Sequence, residues 1–357
     1  MRLSSRTTRS AGAVLLGLLV LVFLFAILAF EAYAIVVARS AAAKPLPDTF
    51  GNFERVRACL KNPKDPGKFS FAVAGDVHSS SIFEKLCRSL RHEPISFLML
   101  LGDTVRQPTP GYRSFLRAEL AEEPPPLPFP IFCVVGNHDV SSGAFPISRF
   151  EETFGPTNFS FEYRGCLFIV LRLLPPPEPT AESLAFLESA LKTRTADCRR
   201  VFVFMNCPLM SFGPVVTPIA DAGKFIALFD RFKVDYVVCG HHHGYARTMV
   251  RDTVYLVSGG AGGRLDPAET GSFHHAVVIT VTPDRVSENV IRLPAGEELE
   301  DQVERLAVAK AYPLMEEHPS ILIFDNLVIL LLCALIVLRL LRRRRNLVPP
   351  GTGGPQP

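Results

Sequence analysis

Residues 69–78 read Phe69-Ser70-Phe71-Ala72-Val73-Ala74-Gly75-Asp76-Val77-His78. A β-rich run of six residues, five of them apolar, predicts a buried strand, and the glycine after them opens a tight loop bearing a carboxylate and an imidazole. The same device recurs along the chain. Ile95–Leu101 ends at Gly102-Asp103, Pro130–Val135 ends at Gly136-Asn137-His138-Asp139, and Val234–Val238 leads into Gly240-His241-His242-His243. Any one of these could be a turn, and Asp76 alone could cap the helix that Ile82, Leu86 and Leu90 predict by their spacing. Together they deliver oxygen and imidazole donors from four strand ends to one place. Asp76, His78, Asp103, Asn137, His241 and His243 are more ligands than one ion normally takes from protein, as in two-metal hydrolytic sites. The donor set is harder than that of a zinc finger and suits Mn, Fe or a catalytic Zn.

Outward from these motifs, Phe159–Leu173 reads as a hairpin turning at Arg164-Gly165. A helix follows from Thr180, a candidate N-cap, with Leu184, Leu187 and Leu191 on one face. Val201–Met205 is another buried strand, and Thr253–Val257, His275–Val281 and Val286–Arg292 read as closing strands. Strands alternating with helices and then mostly strands predict a two-sheet α/β domain, with ligands at the carboxyl ends of strands. Two proline-rich loops, Glu123–Pro130 and Pro175–Pro179, either connect elements or wall a substrate cleft.

From about Phe69 to Leu293, the order and spacing of the motifs resembles the calcineurin-like metallophosphoesterases. The resemblance implies an αββα sandwich and a hydrolase of a phosphomonoester or phosphodiester that uses one or two divalent ions, Mn, Fe or Zn. It also implies that Asp76, His78 and His243 hold a first ion, that Asp103 bridges, and that Asn137 and His241 hold a second. His138 would be the acid over the leaving-group oxygen, oriented by Asp139. The family's fourth motif places a His two residues before a Pro at a strand end. Here that strand ends in Asn206-Cys207-Pro208, so Asn206 stands in its place with only a neutral carbonyl oxygen to offer. The other reading is therefore a metal-binding module that has lost turnover and serves as a receptor or scaffold. Arg247 corresponds to a residue after the last motif that often supports the site in this family. His242, His274 and His275 read as structural, and His92 and His318 as solvated.

The ends of the chain raise the hydrophobic fraction to 48%. Ala11–Phe30 is uncharged and long enough to cross a bilayer as a helix, and Ile321–Leu338 just meets that length. The expected organisation is a cytoplasmic tail (1–10), a membrane helix (11–38), a linker (39–68), the metallophosphoesterase domain (69–293), a connector (294–320), a second membrane helix (321–338) and a basic, then Pro/Gly-rich tail (339–357). Arg2, Arg6 and Arg9 precede the first span, and Arg339 and Arg342 to Arg345 follow the second. The positive-inside rule then puts both termini in the cytoplasm and the domain on the periplasmic, extracellular or lumenal side. A cleaved signal peptide ending near Ala32-Tyr33-Ala34 competes with the first anchor, although the apolar run is longer than a usual signal core.

The net charge of +3 is supplied by the arginine tails and gives no reason to expect nucleic acid. Expected partners are the membrane and a phosphoester substrate, lipid-linked where it lies at the bilayer. Of eight cysteines, Cys59, Cys87, Cys166 and Cys198 are candidates for disulfides in an oxidising compartment. Asn158-Phe159-Ser160 is a glycosylation sequon.

Overall fold

Strands β1 (Phe69–Ala74), β2 (Leu98–Leu100) and β3 (Ile131–Cys133) run parallel in one sheet. The second sheet contains β4 (Phe159–Tyr163), β5 (Cys166–Val170), β6 (Arg200–Met205), β7 (Tyr236–Cys239), β8 (Tyr245–Val250) and β9 (Thr253–Ser258), in the order β4-β5-β6-β7-β9-β8. Antiparallel β10 (His275–Val281) and β11 (Val286–Arg292) complete the first, in the order β11-β10-β1-β2-β3. This computed structural model describes residues 4–52, 56, 58–60, 67–122, 129–193, 198–212, 219–266 and 271–345. Residues 123–128 of the expected proline-rich loop, Pro63 and Pro66 of the linker, Arg2 and the tail from 346 lie outside them.

The alternation of β1 explains the packing. Phe71 and Val73 face the second sheet, where the Phe71 ring lies 5.1 Å from Phe97 and 5.2 Å from Phe202, and Phe168 stacks on Phe202 at 5.1 Å. The whole strand is buried, as a central strand covered on both faces must be. On the far side of the second sheet, Ile169, Val201 and Val203 pack against Leu187 and Leu191 of one helix (Ala181–Lys192) and Phe225 and Phe229 of another (Ala222–Phe232). This is the αββα sandwich expected from the sequence. Truncating one of these interior phenylalanines to Ala should cost about 3–5 kcal/mol.

Some local expectations shift. β2 and β3 are shorter than their apolar runs, because the chain bends into the ligand loops while single bonds such as Leu101 N–H to Ala74 O (2.9 Å) continue the pairing. Thr180 sits at the N-cap position but makes no capping bond; its hydroxyl lies 3.4 Å from Asp221. Helices Pro110–Glu122 and Ile147–Phe154 and the exposed edge strand β8 were not anticipated from the pattern. The connector expected at 294–320 is largely helical from Leu299.

Contacts divide the chain into two units, residues 40–305, which hold the sandwich, and residues 1–39 with 306–357. The second unit is dominated by helix Ser4–Ala43 and helix Pro319–Arg345. Gly12–Ala43 and Pro319–Arg343 are long and apolar enough to cross a membrane. Both expose large apolar side chains, Leu15, Leu19 and Phe23 on the first and Ile323, Leu327 and Leu331 on the second. A Cβ on Gly17 would meet Ile336 at 3.5 Å and Leu340 at 3.6 Å, so the start of one helix lies against the end of the other.

Candidate metal centre

Each parallel strand named in the motifs ends at the same edge of its sheet, and the loops beyond are bonded to one another. Asp76 N–H donates to Gly102 O (3.1 Å), His78 N–H to Asp103 O (3.0 Å) and Gly240 N–H to Asn206 O (3.0 Å). Across the two sheets, His241 N–H donates to Asp76 Oδ2 at 2.8 Å and the Asn206 amide to Leu101 O at 2.9 Å. The backbone is strained here. Asp76 (φ 59°), His78 (φ 56°), Asp103 (φ 53°) and His241 (φ 64°) all adopt left-handed conformations. For residues other than glycine this costs of order 1–3 kcal/mol each and gathers at functional sites. The glycines of the motifs serve close packing: a Cβ on Gly136 would collide with the Asp103 carboxylate, and one on Gly240 would lie 2.8 Å from Asp76 Oδ2.

The donors converge as the sequence requires. Donor atoms of Asp76, His78 and His243 lie within 4.8 Å of one another, and so do those of His78, Asp103 and His138. The His78 ring is 4.8 Å from His138 and 4.9 Å from His243. Asp76 Oδ1, His78 Nε2, Asp103 Oδ2 and Asn137 Oδ1 are all buried without a hydrogen-bond partner. Orphaned buried acceptors are rare in native proteins, and four of them on the expected ligands are the signature of a site built for a cation.

Titration tells the same story. Burial, with the nearby Asp76 and Asp139 carboxylates, pushes Asp103 well above the carboxylate range. Burial also opposes ionisation of Asp76, but its close contact with His243 and the charges of His243, His78 and His241 hold it below that range. Burial holds His78 down to about 3 and lowers His241. Despite its burial, His243 is lifted to about 9 by the Asp76 contact, with Nε2 3.5 Å from Oδ1. His78 and His241, held neutral beside buried carboxylates, suit ligation by a divalent ion, whereas His243 would have to give up its proton to bind one.

His138 lines the cavity, and its Nδ1 is 2.8 Å from Arg106 O. Its orienting partner is that carbonyl, and the Asp139 carboxylate acts elsewhere. It accepts from Asp103 N (2.9 Å), Thr104 N (2.9 Å), Thr104 Oγ1 (2.5 Å) and Gly136 N (2.9 Å), joining two ligand loops. Arg113, largely buried, donates to the Asp139 carbonyl and stacks over Phe145 at 3.3 Å. Asn206 is wholly buried and sits among the ligand loops. With its amide nitrogen committed to Leu101, only Oδ1 remains, and the Cys207 thiol already lies 3.6 Å from it.

Other candidates lie away from the donors. Arg247 is on edge strand β8 and makes a two-pronged ion pair with Glu288 of β11 at 3.0 and 2.9 Å, which Tyr236 OH joins at 3.0 Å. It fastens the two sheet edges. His275 is fully buried against Tyr245, whereas His274 lines the cavity. His242 Nδ1 approaches Asp266 Oδ2 to 3.1 Å, and the same oxygen accepts from His243 N–H at 2.8 Å, so Asp266 braces the last loop. All eight cysteines are free thiols. The sequon amide of Asn158 is buried, with Oδ1 accepting from Arg172 N (2.8 Å) and Ser183 (3.0 Å), which closes it to glycosylation in the folded chain.

Residues 69–245 match the family model for calcineurin-like phosphoesterases, and the chain carries a domain of that family. Among solved structures, a purple acid phosphatase from yellow lupin (Lupinus luteus) seeds is similar at 14% identity and a TM-score of 0.50, covering 68% of this chain and 56% of its own. A dimetal phosphatase from Danio rerio is also similar at 14% identity and a TM-score of 0.46, over 63% of this chain and 99% of its own. The chain thus spans little more than half of the lupin enzyme, and likeness at these identities is one of fold. No curated protein matches the sequence.

Proposed function

We propose that this calcineurin-like phosphoesterase domain hydrolyses a phosphomonoester or phosphodiester and is held outside the cytoplasm by two membrane-crossing helices. The observation that carries the reading is the set of four orphaned buried donors, on Asp76, His78, Asp103 and Asn137, all on the ligand loops. Asp76, His78 and His243 would hold one divalent ion, Asp103 would be shared, and Asn137, His241 and the Asn206 oxygen would hold a second. Bound there, such ions would offset the phosphate charge and lower the pKa of a water nucleophile.

The chain's own groups supply orientation and a proton. The carbonyl of Arg106 makes His138 Nδ1 the donor, so Nε2 is the nitrogen free to hand a proton to the leaving-group oxygen. Arg264 O fixes His243 in the same way at 2.6 Å, leaving Nε2 to face the donors, as outer carbonyls do for ligating histidines. Asp139 holds the loops of Asp103 and Asn137 at a constant spacing. The arginines flanking the two spans favour cytoplasmic termini, and a substrate at or near the bilayer follows from the anchors.

One observation favours a second reading, metal binding without turnover: Asn206 offers an amide oxygen where the family places an imidazole. The full-length protein in detergent, assayed for metal content and hydrolysis of a nitrophenyl phosphate, decides. About two ions per chain with hydrolysis supports the enzyme. One ion, no hydrolysis, and activity restored in Asn206→His supports the impaired module. If His243→Ala leaves metal content unchanged, the ligand assignment is wrong.

A further inference from the structure

Arg106 and Arg264 line a cavity of about 720 Å³ together with His78, His138 and His243. Each lends its backbone carbonyl to a site imidazole, Arg106 to His138 at 2.8 Å and Arg264 to His243 at 2.6 Å. The backbone of each arginine is therefore fixed beside a site imidazole, and both side chains line the cavity. Both side chains are exposed, and neither meets a carboxylate among the described residues. The third arginine of the cavity, Arg305, is neutralised by a two-pronged pair with Glu297. Arg106 is close enough for its charge to act on His78. The remaining cavity walls supply no anion: Glu297 is taken by Arg305, and His274 directs Nδ1 to Gly260 O at 3.0 Å.

An unpaired arginine in water is unremarkable by itself. Two of them lining one cavity, each with its backbone bonded to a site imidazole, place two cationic side chains beside the reacting centre, and a guanidinium fork matches phosphate oxygens better than any other side chain. We propose that Arg106 and Arg264 form a subsite for a second anionic group, so that the preferred substrate is a diphosphate ester whose outer phosphate is cleaved while the inner one lies between the arginines. The inference rests on the hydrolase reading of the same centre and extends it from an ester to the P–O–P bond of a diphosphate: water adds to the outer phosphorus, and the inner phosphate leaves with the bridging oxygen. A soluble nucleotide and a lipid diphosphate present the same chemistry to this subsite.

The test compares paired substrates on the full-length protein in detergent at fixed free metal: adenosine diphosphate against adenosine monophosphate, and farnesyl diphosphate against farnesyl monophosphate. Wild type should favour the diphosphate, measured as the ratio of kcat/KM within a pair, and the pair with the larger ratio identifies the source. Arg106→Gln and Arg264→Gln should each lower that ratio about tenfold, the loss of one charge-assisted bond, while Arg→Lys at either position restores part of it. Equal loss on both members of a pair, or no wild-type preference, overturns the subsite. Should neither member be hydrolysed, calorimetric binding takes the place of kinetics. Tighter binding of the diphosphate that is lost in both Gln variants keeps the subsite and sinks the hydrolase. Hydrolysis with an unaltered ratio sinks the subsite and keeps the hydrolase.

Discussion

Replacing Asp139 by alanine should unfold the active face before it affects the chemistry. Its carboxylate is fully buried and accepts from the backbone of Asp103, Thr104 and Gly136 at 2.9 Å each, and from the Thr104 hydroxyl. Arg113 beside it is held down to about 10 by burial, with Asp139 as the charge that opposes this. Summing every bond at about 1.5–3 kcal/mol would overshoot, because some of the freed N–H groups would find water. Arg113 bonds to the Asp139 carbonyl rather than to its carboxylate, so the buried donors left unmet set the cost, about 2–6 kcal/mol if two of them stay dry. For a domain of this size, each kcal/mol lowers Tm by about 2–4 °C, so the loss should be on the order of 10 °C.

Asp139→Asn retains the shape and one accepting oxygen, and should lose about 1–3 kcal/mol. The assay is circular dichroism on full-length protein in detergent, melted at one scan rate, with hydrolysis measured well below the transition. If Asp139→Ala melts within about 2 °C of wild type, the carboxylate is not the brace between the loops. A loss of activity with unchanged stability would return Asp139 to the role of orienting His138.

Two further outcomes are expected. Burial holds His275 down to about 4 in the fold, below its unfolded value near 6.5, so the unfolded chain takes up the proton first as pH falls. Its contribution is intact above about pH 6.5 and is lost between there and about 4, at roughly 1.4 kcal/mol per pH unit. His275→Leu should therefore lose less Tm than wild type between pH 7 and 5; equal losses refute the assignment. Cys59 is the exposed thiol, while the other seven are buried. A membrane-impermeant maleimide added to intact cells should label the chain at Cys59 and fail on Cys59→Ser; labelling that requires lysis refutes the proposed topology.

The sandwich was legible because its central strands are buried on both faces and read as unbroken apolar runs, each closed by a glycine. Phe69–Ala74 is of this kind, and Arg200–Met205 differs in being closed by Asn206. The edge strand Tyr245–Val250 was not, since only its neighbour β9 orders it and its exposed residues carry no alternation. The ligands were legible as residue types at strand ends. Their left-handed backbones were not, because nothing in Asp76-Val77-His78 distinguishes a strained loop from an ordinary turn until the loops are seen bonded together. Arg247 misled for the opposite reason: adjacency to a ligand in sequence says little when the next residues run up a strand and carry the side chain to Glu288. The cationic pair of Arg106 and Arg264 had a faint signal, an arginine a few residues beyond a ligand loop, and its sense depends on carbonyl bonds that only the fold creates.

Position 206 separates two duties that an imidazole would combine. A histidine there could donate Nδ1–H to Leu101 O and turn Nε2 outward as a ligand, the outer-carbonyl arrangement seen at His243. Asparagine keeps the first duty, with its amide on Leu101 at 2.9 Å, and so keeps the two sheets sewn together at this point. It gives up the reach of the second, because the remaining oxygen branches from the same carbon as the committed nitrogen and carries no charge. Glycine at 102 is what leaves room for this side chain, since a Cβ there would lie 2.6 Å from the amide nitrogen. The substitution therefore weakens ligation without loosening the fold. On the proposed ligand assignment, turnover would rest mainly on the donors of Asp76, His78, Asp103 and His243, with Asn137 and His241 beside a weak neighbour.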